Sequence, residues 1–392
     1  MDVLTRERAK PALPFAGVYQ LVDFPLSNLT HSGISDVWLS VQYQGGTLEH
    51  EVANGRPWDL DRNHGGLRIL MPEQGSGTEE ETGFAKGNAD LLFRIRDDIR
   101  RLAPEVVVVA SADHVYRFDY TEAIATHRAK DAEVTIVTTE VAKGRASDHA
   151  VVEANRLGRV TGFAYKPARP STTTVATEVF VYSPDALIEV LEELHREKTA
   201  DAEPDDTGLG DFGESLLPRF VDRGRAYVHG LPGYWRDLGQ PHLYLAAHRD
   251  LLTGDADELF ADPAWPFLTR QPQRVPARLD QGSDVEDSLV SPGARVAGVV
   301  RRSVLGPGVV VEEGATVTDS VLFADSVVEA GAEVAWTIVD SGCIVGRDAR
   351  VGEPDAPGSE DSDAVTIIGK DSSVGAGVVL EAGARLEPGT TA

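Results

Sequence analysis

The chain is poor in cysteine, lysine and long apolar runs, and each shortage narrows what it can be. Cys343 is its single cysteine, so no intrachain disulfide can form, and nothing asks for an oxidising compartment. No apolar run approaches the roughly 18 residues that a membrane-spanning helix needs. Residues 1–6 hold no signal-peptide core. A cytoplasmic location is therefore expected, with no membrane partner. Lysines make up only seven of the 37 basic residues, against 63 acidic ones and a net charge of −26. A field of that sign repels nucleic acid, so none is expected as a partner. It also opposes phosphorylated substrates unless cations are gathered locally, which makes the place of each lysine informative.

What is present is globular: 42% of residues are hydrophobic and 26% charged. A length of 392 residues predicts two domains. Residues 37–41, 106–110, 133–139 and 174–182 read as buried strands, β-branched and too short for helices. Residues 89–102 carry Leu91, Leu92, Ile95, Ile99 and Leu102 at helical spacing. Ser183 and Pro184 read as the cap and first residue of a further helix. Strands alternating with helices predict an α/β domain with a mostly parallel sheet over residues 1–250. Residues 251–280 are rich in proline, lack periodicity and read as a linker. From 281 to 392 a hexad appears. Leu305, Val311 and Val317 are six apart, and the triplets Leu322, Val328, Val334 and Val339, Val345, Val351 follow at seventeen-residue intervals. After an acidic insertion (353–364) the register resumes at Ile368, Val374, Leu380 and Leu386. This period predicts a parallel β-helix whose stacked coils bury the aliphatic column.

Several residues could carry chemistry. Residues 6–12, with Arg6, Arg8 and Lys10, are the densest basic cluster. Lys10 precedes a proline in an extended or turn segment, where an ammonium suits a phosphate; a solvated cluster is the plainer alternative. Asp113 follows the 106–110 strand, and open parallel sheets bind ligands beyond the carboxyl ends of their strands. There it could hold Mg²⁺, which takes one or two carboxylates plus phosphate oxygens, or it could cap a turn. His114 could be a ligand or a turn cap. Lys166 repeats a Lys-Pro-Ala theme, and Asp237 sits in Trp235-Arg236-Asp237, where Arg236 could simply pair with it. Two carboxylates and two lysines would suit metal-bridged phosphates.

The segments LTRERAKPALPF, DFPLSN, VQYQ, GNAD, SADHVY, YKPA, DFGESLLP and YWRDLGQPHLY occur in an order that resembles the glucose-1-phosphate adenylyltransferase (ADP-glucose pyrophosphorylase) family. The resemblance implies a Rossmann-like nucleotidyltransferase domain followed by a left-handed β-helix. It implies an enzyme that joins ATP and glucose 1-phosphate into ADP-glucose and pyrophosphate, for glycogen or other α-glucan synthesis. It assigns Mg²⁺ as cofactor, on Asp113 and Asp237. Lys166 would grip the sugar phosphate, Lys10 would lie near the nucleotide phosphates, and Arg8 beside it would bind substrate. Gln42 would sit in a nucleotide-sensing loop, and Gly87, Ala89 and Asp90 would border the base. Tyr165 and Glu178 would line the sugar pocket. A tetramer and control by phosphorylated metabolites are likewise implied.

The sequence departs from the family pattern in two places. No Gly-Gly-x-Gly-x-Arg loop, and no strand carrying it, precedes Arg6. In the family that strand lies between the equivalents of 37–41 and 106–110, so an N-terminus about twenty residues upstream is expected, with Met1 internal. On the sugar side, Tyr165 stands in place of a glutamate, Ala176 and Glu178 in place of serine and glycine, and His149-Ala150 in place of a Phe-Gly-like pair. These changes leave two other readings: a non-catalytic regulatory homologue, or a transferase for a different sugar 1-phosphate. An acyltransferase working on the β-helix is disfavoured, because such enzymes need a histidine base and no histidine follows His248.

Overall fold

A computed structural model describes residues 1–71, 85–198, 208–271, 273–353 and 364–392. The chain opens with short 3-10 turns at Asp2–Thr5 and Lys10–Ala12 and a small hairpin of β1 (Pro14–Phe15) and β2 (Tyr19–Gln20). Next come α1 (Asp23–His31), β3 (Asp36–Ser40), α2 (Gly45–Val52) and β4 (Gly66–Leu70). The segment read as one helix is two, α3 (Asn88–Arg94) and α4 (Arg96–Leu102). They break at Ile95, whose ψ of 4° lies off the helical value, a kink that hydrophobic spacing does not record.

Then follow β5 (Val107–Ala110), β6 (His114–Tyr116), α5 (Tyr120–Ala129), β7 (Val134–Glu140), β8 (Ala150–Ala154), β9 (Val160–Tyr165) and β10 (Thr174–Tyr182). The α/β half ends with α6 (Pro184–Lys198), α7 (Leu217–Asp222), β11 (Ala226–Gly230), β12 (Trp235–Asp237) and α8 (Pro241–Thr253). Pro184 opens α6 as expected, but the Ser183 hydroxyl donates to Ala132 O at 2.8 Å, across to the loop before β7. The long β10 organises the sheet. It runs antiparallel to β5, β7 and β8, while β11 lies parallel to β7, so β5, β7 and β11 share one direction. β3 and β4 form a separate parallel pair, and among the described residues no strand joins that pair to β5. α3, α6 and α7 cover the sheet through a core that includes Phe93, Leu187, Leu191, Phe220 and the sheet residues Ile136 and Phe180.

Beyond α8 the chain is pinned to α1 rather than free. Leu268 N–H donates to the Ser27 hydroxyl at 2.8 Å and Trp265 Nε1 to Asn28 Oδ1 at 3.0 Å. From Arg278 onward the chain forms three parallel sheets of six short strands each. Residues six apart fall on successive faces. Leu305, Val311 and Val317 lie on three different sheets, and Leu305 stacks on Leu322, then Val339, Ile368 and Leu386. The inward aliphatics make one continuous core, each fully buried side chain contributing roughly 1.5–3 kcal/mol. One face turns its outward residues Val304, Val321, Ile338 and Ile367 into a second core with Leu13, Phe15 and Tyr244 of the α/β half. The two halves are thus joined by apolar packing. No helix among the described residues is long and apolar enough to cross a membrane.

Candidate active site

The site grows from a short ladder. β6 and β12 pair antiparallel, with Asp237 opposite His114. Asp113 immediately precedes β6, so this register brings two carboxylates that are far apart in sequence to either side of one imidazole. His114 is buried, and its Nδ1–H donates to Thr177 O at 3.1 Å. That bond turns Nε2 towards Asp237 Oδ1 at 3.6 Å, Asp113 Oδ1 at 3.7 Å and Glu178 Oε2 at 3.9 Å. Burial alone would lower the imidazole pKa, but the three carboxylates outweigh it and hold His114 above its ordinary value.

Lys10 enters from the opposite side and donates to Asp113 Oδ2, while the Ser111 hydroxyl donates to Oδ1. Burial pushes Asp113 up, yet His114, Lys10 and Ser111 prevail and hold it well below the usual carboxylate range. Lys10 is raised for the reciprocal reason: desolvation opposes its charge, and Asp113, Asp237 and Glu178 more than restore it. The centre therefore gathers three carboxylates around Lys10 and His114, and Asp113 stays ionised at neutral pH.

Glu178 arrives through an irregularity. The β10–β7 register shifts between Ala176 and Phe180, and Glu178 takes φ +57° inside it. Its carbonyl accepts from Ser111 N–H at 3.1 Å, which locks the bulge to the Asp113 loop. Crowding by its surroundings, then by Asp113 and Asp237, raises its pKa, with His114 opposing, although the side chain keeps 48% of its surface open to solvent. Lys166 lies at the end of β9 with φ +45°, and its N–H donates to His149 O at 3.2 Å. Its ammonium lies 5.3 Å from the Tyr165 ring centroid. The Tyr165 ring covers Gly213 so closely that any Cβ there would overlap ring atoms. Desolvation raises the Tyr165 phenol, Lys166 opposes this, and the charges of Asp211 and Glu178 add to it. Tyr165 and Lys166 thus border the cluster from the Glu178 side.

The chain matches the nucleotidyl transferase family over residues 2–254 and the GlmU-like C-terminal hexapeptide family over residues 273–370. It is 31% identical, over 391 residues, to the glucose-1-phosphate adenylyltransferase of Desulfitobacterium hafniense, covering 100% of this chain and 95% of that one. The enzyme of the same name from Acetivibrio thermocellus is 30% identical over 400 residues, with coverage of 100% and 91%. That from Clostridium acetobutylicum is 34% identical over 321 residues, 81% of each chain. The chain belongs to the glucose-1-phosphate adenylyltransferase family. Its architecture is that of the family: a nucleotidyltransferase domain followed by a left-handed β-helix of hexapeptide repeats.

Other residues singled out in this family member lie further out. Asp90 is buried at the start of α3, where Oδ2 accepts from Lys86 N–H at 2.8 Å and Oδ1 from Arg94 Nε at 3.1 Å. Ala89 N–H donates to Gly210 O at 3.1 Å, and Gly87 abuts the Gly210 backbone so tightly that a Cβ has no room. Gln42 follows β3 in a loop that rests on the N-terminal segment: Gln44 Nε2 donates to Arg6 O at 3.0 Å and Ala9 N–H to the Thr47 hydroxyl at 3.1 Å. Arg8 is turned away from the carboxylates and forks onto Asp340 of the β-helix. Arg236 pairs with Asp250, its Nε 2.8 Å from Oδ2, rather than with Asp237.

Three contributors receive no site role from the sequence, although Ser111 and Trp235 lie in the motifs that carry the resemblance and His149 marks a departure from the family. Ser111 is two residues from Asp113, a spacing shared by many turns. His149, just before β8, brings its Nδ1 within 4.0 Å of Asp237 Oδ2. Trp235 stands between the two imidazoles, 5.2 Å from His114 and 5.3 Å from His149 between ring centroids.

Proposed function

We propose that the chain transfers the adenylyl group of ATP to glucose 1-phosphate, giving ADP-glucose and pyrophosphate for α-glucan synthesis. The observation that carries this reading is the ladder that sets Asp113 and Asp237 around His114, with Lys10 on Asp113. A sugar phosphate oxygen attacks the α-phosphorus, a new P–O bond forms, the α–β P–O bond breaks, and pyrophosphate leaves. Such a transfer needs positioning and charge neutralisation rather than a covalent nucleophile.

Two hard carboxylates suit Mg²⁺, which completes its shell with water and phosphate oxygens. Asp113 and Asp237 would hold the ion, which when bound would neutralise phosphate charge. Lys10 binds the nucleotide phosphates, releasing Asp113 as they enter. Lys166 binds the sugar phosphate. Gln42 and the 87–90 turn face the nucleotide side, with Arg8 behind them as anchor of the segment that carries Lys10. Tyr165 and Glu178 contact the sugar. A cytoplasmic homotetramer is part of the same proposal.

A second reading keeps the reaction and changes the sugar. It is favoured by Glu178, a carboxylate at a strained backbone position 3.9 Å from His114. The deciding assay is pyrophosphate release with ATP, Mg²⁺ and a panel of sugar 1-phosphates. Release with glucose 1-phosphate that is lost in Asp113→Asn supports the main reading. Release with another sugar alone replaces it by the second, and no release from folded, ATP-binding protein sinks both.

A further inference from the structure

Lys10 reaches the carboxylates from a segment whose preceding residues are seated on the β-helix. Arg8 NH2 donates to Asp340 Oδ1 at 2.8 Å and NH1 to Oδ2 at 3.1 Å. The pair is closed to water, with 13% and 2% of the side-chain surfaces exposed. Asp340 is fixed by the β-helix itself. Its Oδ1 also accepts from Ser341 N–H at 2.6 Å, its carbonyl accepts from the Ser326 hydroxyl at 2.8 Å, and its N–H donates to Ile368 O at 2.9 Å. The guanidinium lies 5.6 Å from the Phe323 ring centroid. One residue, Ala9, separates this anchor from Lys10. Ala9 is bonded to Thr47, Pro11 fixes its own φ, and the Pro11 carbonyl accepts from Val22 N–H at 2.9 Å. The segment is stiff, so a shift at Arg8 is passed on to Lys10.

We propose that Asp340 is a positioning residue for the transferase: through the Arg8 fork, the β-helix sets where Lys10 stands in the active centre. A buried ion pair is poor evidence for a stabilising role, because desolvation offsets the attraction. Its geometric specificity is what distinguishes it, since a bidentate fork fixes both distance and plane. The other ion pairs between this segment and the β-helix are largely exposed. Arg6 and Glu387 keep 57% and 53% of their side-chain surfaces, and such pairs contribute little. The place of Lys10 therefore depends on Asp340 more than on its neighbours along the strap.

The test uses the full chain and two readouts. Asp340→Asn keeps the shape and removes the charge. It should lower kcat about 10- to 100-fold, as small misplacements do, with a much smaller change in KM. It should also free the Lys10 amine from Asp113, so that an N-hydroxysuccinimide acetate label, counted by peptide mass spectrometry, enters Lys10 severalfold faster while Lys143 is unchanged. Asp340→Glu should restore both readouts in large part. Glu387→Gln, which removes an exposed pair, should leave both at wild type. A folded Asp340→Asn protein with wild-type kcat and wild-type Lys10 labelling overturns the proposal. Should that variant lose its fold, Arg8→Met with Asp340→Leu replaces the pair by apolar side chains, and wild-type labelling of Lys10 in it overturns the proposal equally. The kcat readout rests on the transferase reading and the labelling does not, so an inactive wild type sinks that reading while labelling still decides this one.

Discussion

Both halves of the molecule hold carboxylates in close-packed surroundings, and they treat them in opposite ways. On the β-helix, Asp340 is closed by Arg8 and Ser341 N–H, and Asp319 by Arg302, whose Nε and NH2 donate at 3.0 and 2.6 Å. At the catalytic edge, Asp113, Glu178 and Asp237 surround one imidazole at 3.6–3.9 Å, beyond hydrogen-bond length. Their acceptor capacity is only partly used. A scaffold gains by matching every buried charge. A centre that takes up phosphates with their cation gains by keeping charge unmatched until they arrive. Loss of a scaffold residue should then show in stability, and loss of a centre residue in turnover.

The largest effect expected from this contrast is on the β-helix column. Leu322 is fully buried between Leu305 and Val339. Leu322→Ala should destabilise by about 2–5 kcal/mol, the range for deletion of a buried leucine side chain. Urea denaturation reads the loss, and kcat measured well below the transition should be unchanged. A fall in kcat without loss of stability would break the division of labour. The mirror experiment is Asp237→Asn. It should lower kcat by about 10²–10³-fold, as loss of one preorganised charge-stabilising group does, with the denaturation midpoint kept within experimental scatter.

Asp23 tests whether the α/β half follows the catalytic rule everywhere. It is buried at the start of α1, with Gln20 N–H donating to Oδ2 at 2.9 Å and, among the described residues, no cation paired with it. Burial pushes its pKa up to about 7, against the bonds from Thr269 and Gln20 and with a small push from Glu51. The folded value lies above the unfolded one, 3.8. Its contribution to stability is therefore complete below that value and is lost as pH rises through about 7. Asp23→Asn does not titrate. The variant should gain about 1–3 kcal/mol over wild type at pH 8, the penalty of a poorly satisfied buried group, and lose that advantage at pH 5. Equal differences at both pH values would show that Asp23 does not titrate with folding.

How much of this was legible follows from the same contrast. The β-helix repeats one role at a fixed period, so Leu305, Val311 and Val317 announce three faces before any coordinates exist. The strands β3, β5, β7 and β10 were legible to within a residue because each is rich in β-branched and apolar residues, whereas β8, β9 and β11 were not read. The meeting of Asp113 with Asp237 was not, because β6 and β12 are three residues long and carry no alternation that fixes their register. Only the family resemblance set those two aspartates together in advance. Arg8 shows the opposite failure: a basic side chain beside Lys10 reads as a phosphate ligand, and nothing local says that its partner lies 332 residues away.

The smallest effect sharpens the comparison most, because one residue should move both scales at once. Glu178 stands at φ +57°, a conformation that costs an L side chain roughly 1–2 kcal/mol. Glycine adopts it freely but loses about 0.5–1 kcal/mol of chain entropy on folding. Glu178→Gly also removes one of three crowded carboxylates. The variant should therefore gain about 1 kcal/mol in stability, visible as a raised urea midpoint. If Glu178 contacts the sugar, the same change should lower kcat/KM for the sugar 1-phosphate about tenfold, chiefly through KM, because a hydroxyl loses its acceptor. A variant that is more stable and kinetically unchanged would place Glu178 among the scaffold residues despite its position. One that is less stable would show that the attraction between the carboxylate and His114 outweighs the backbone strain.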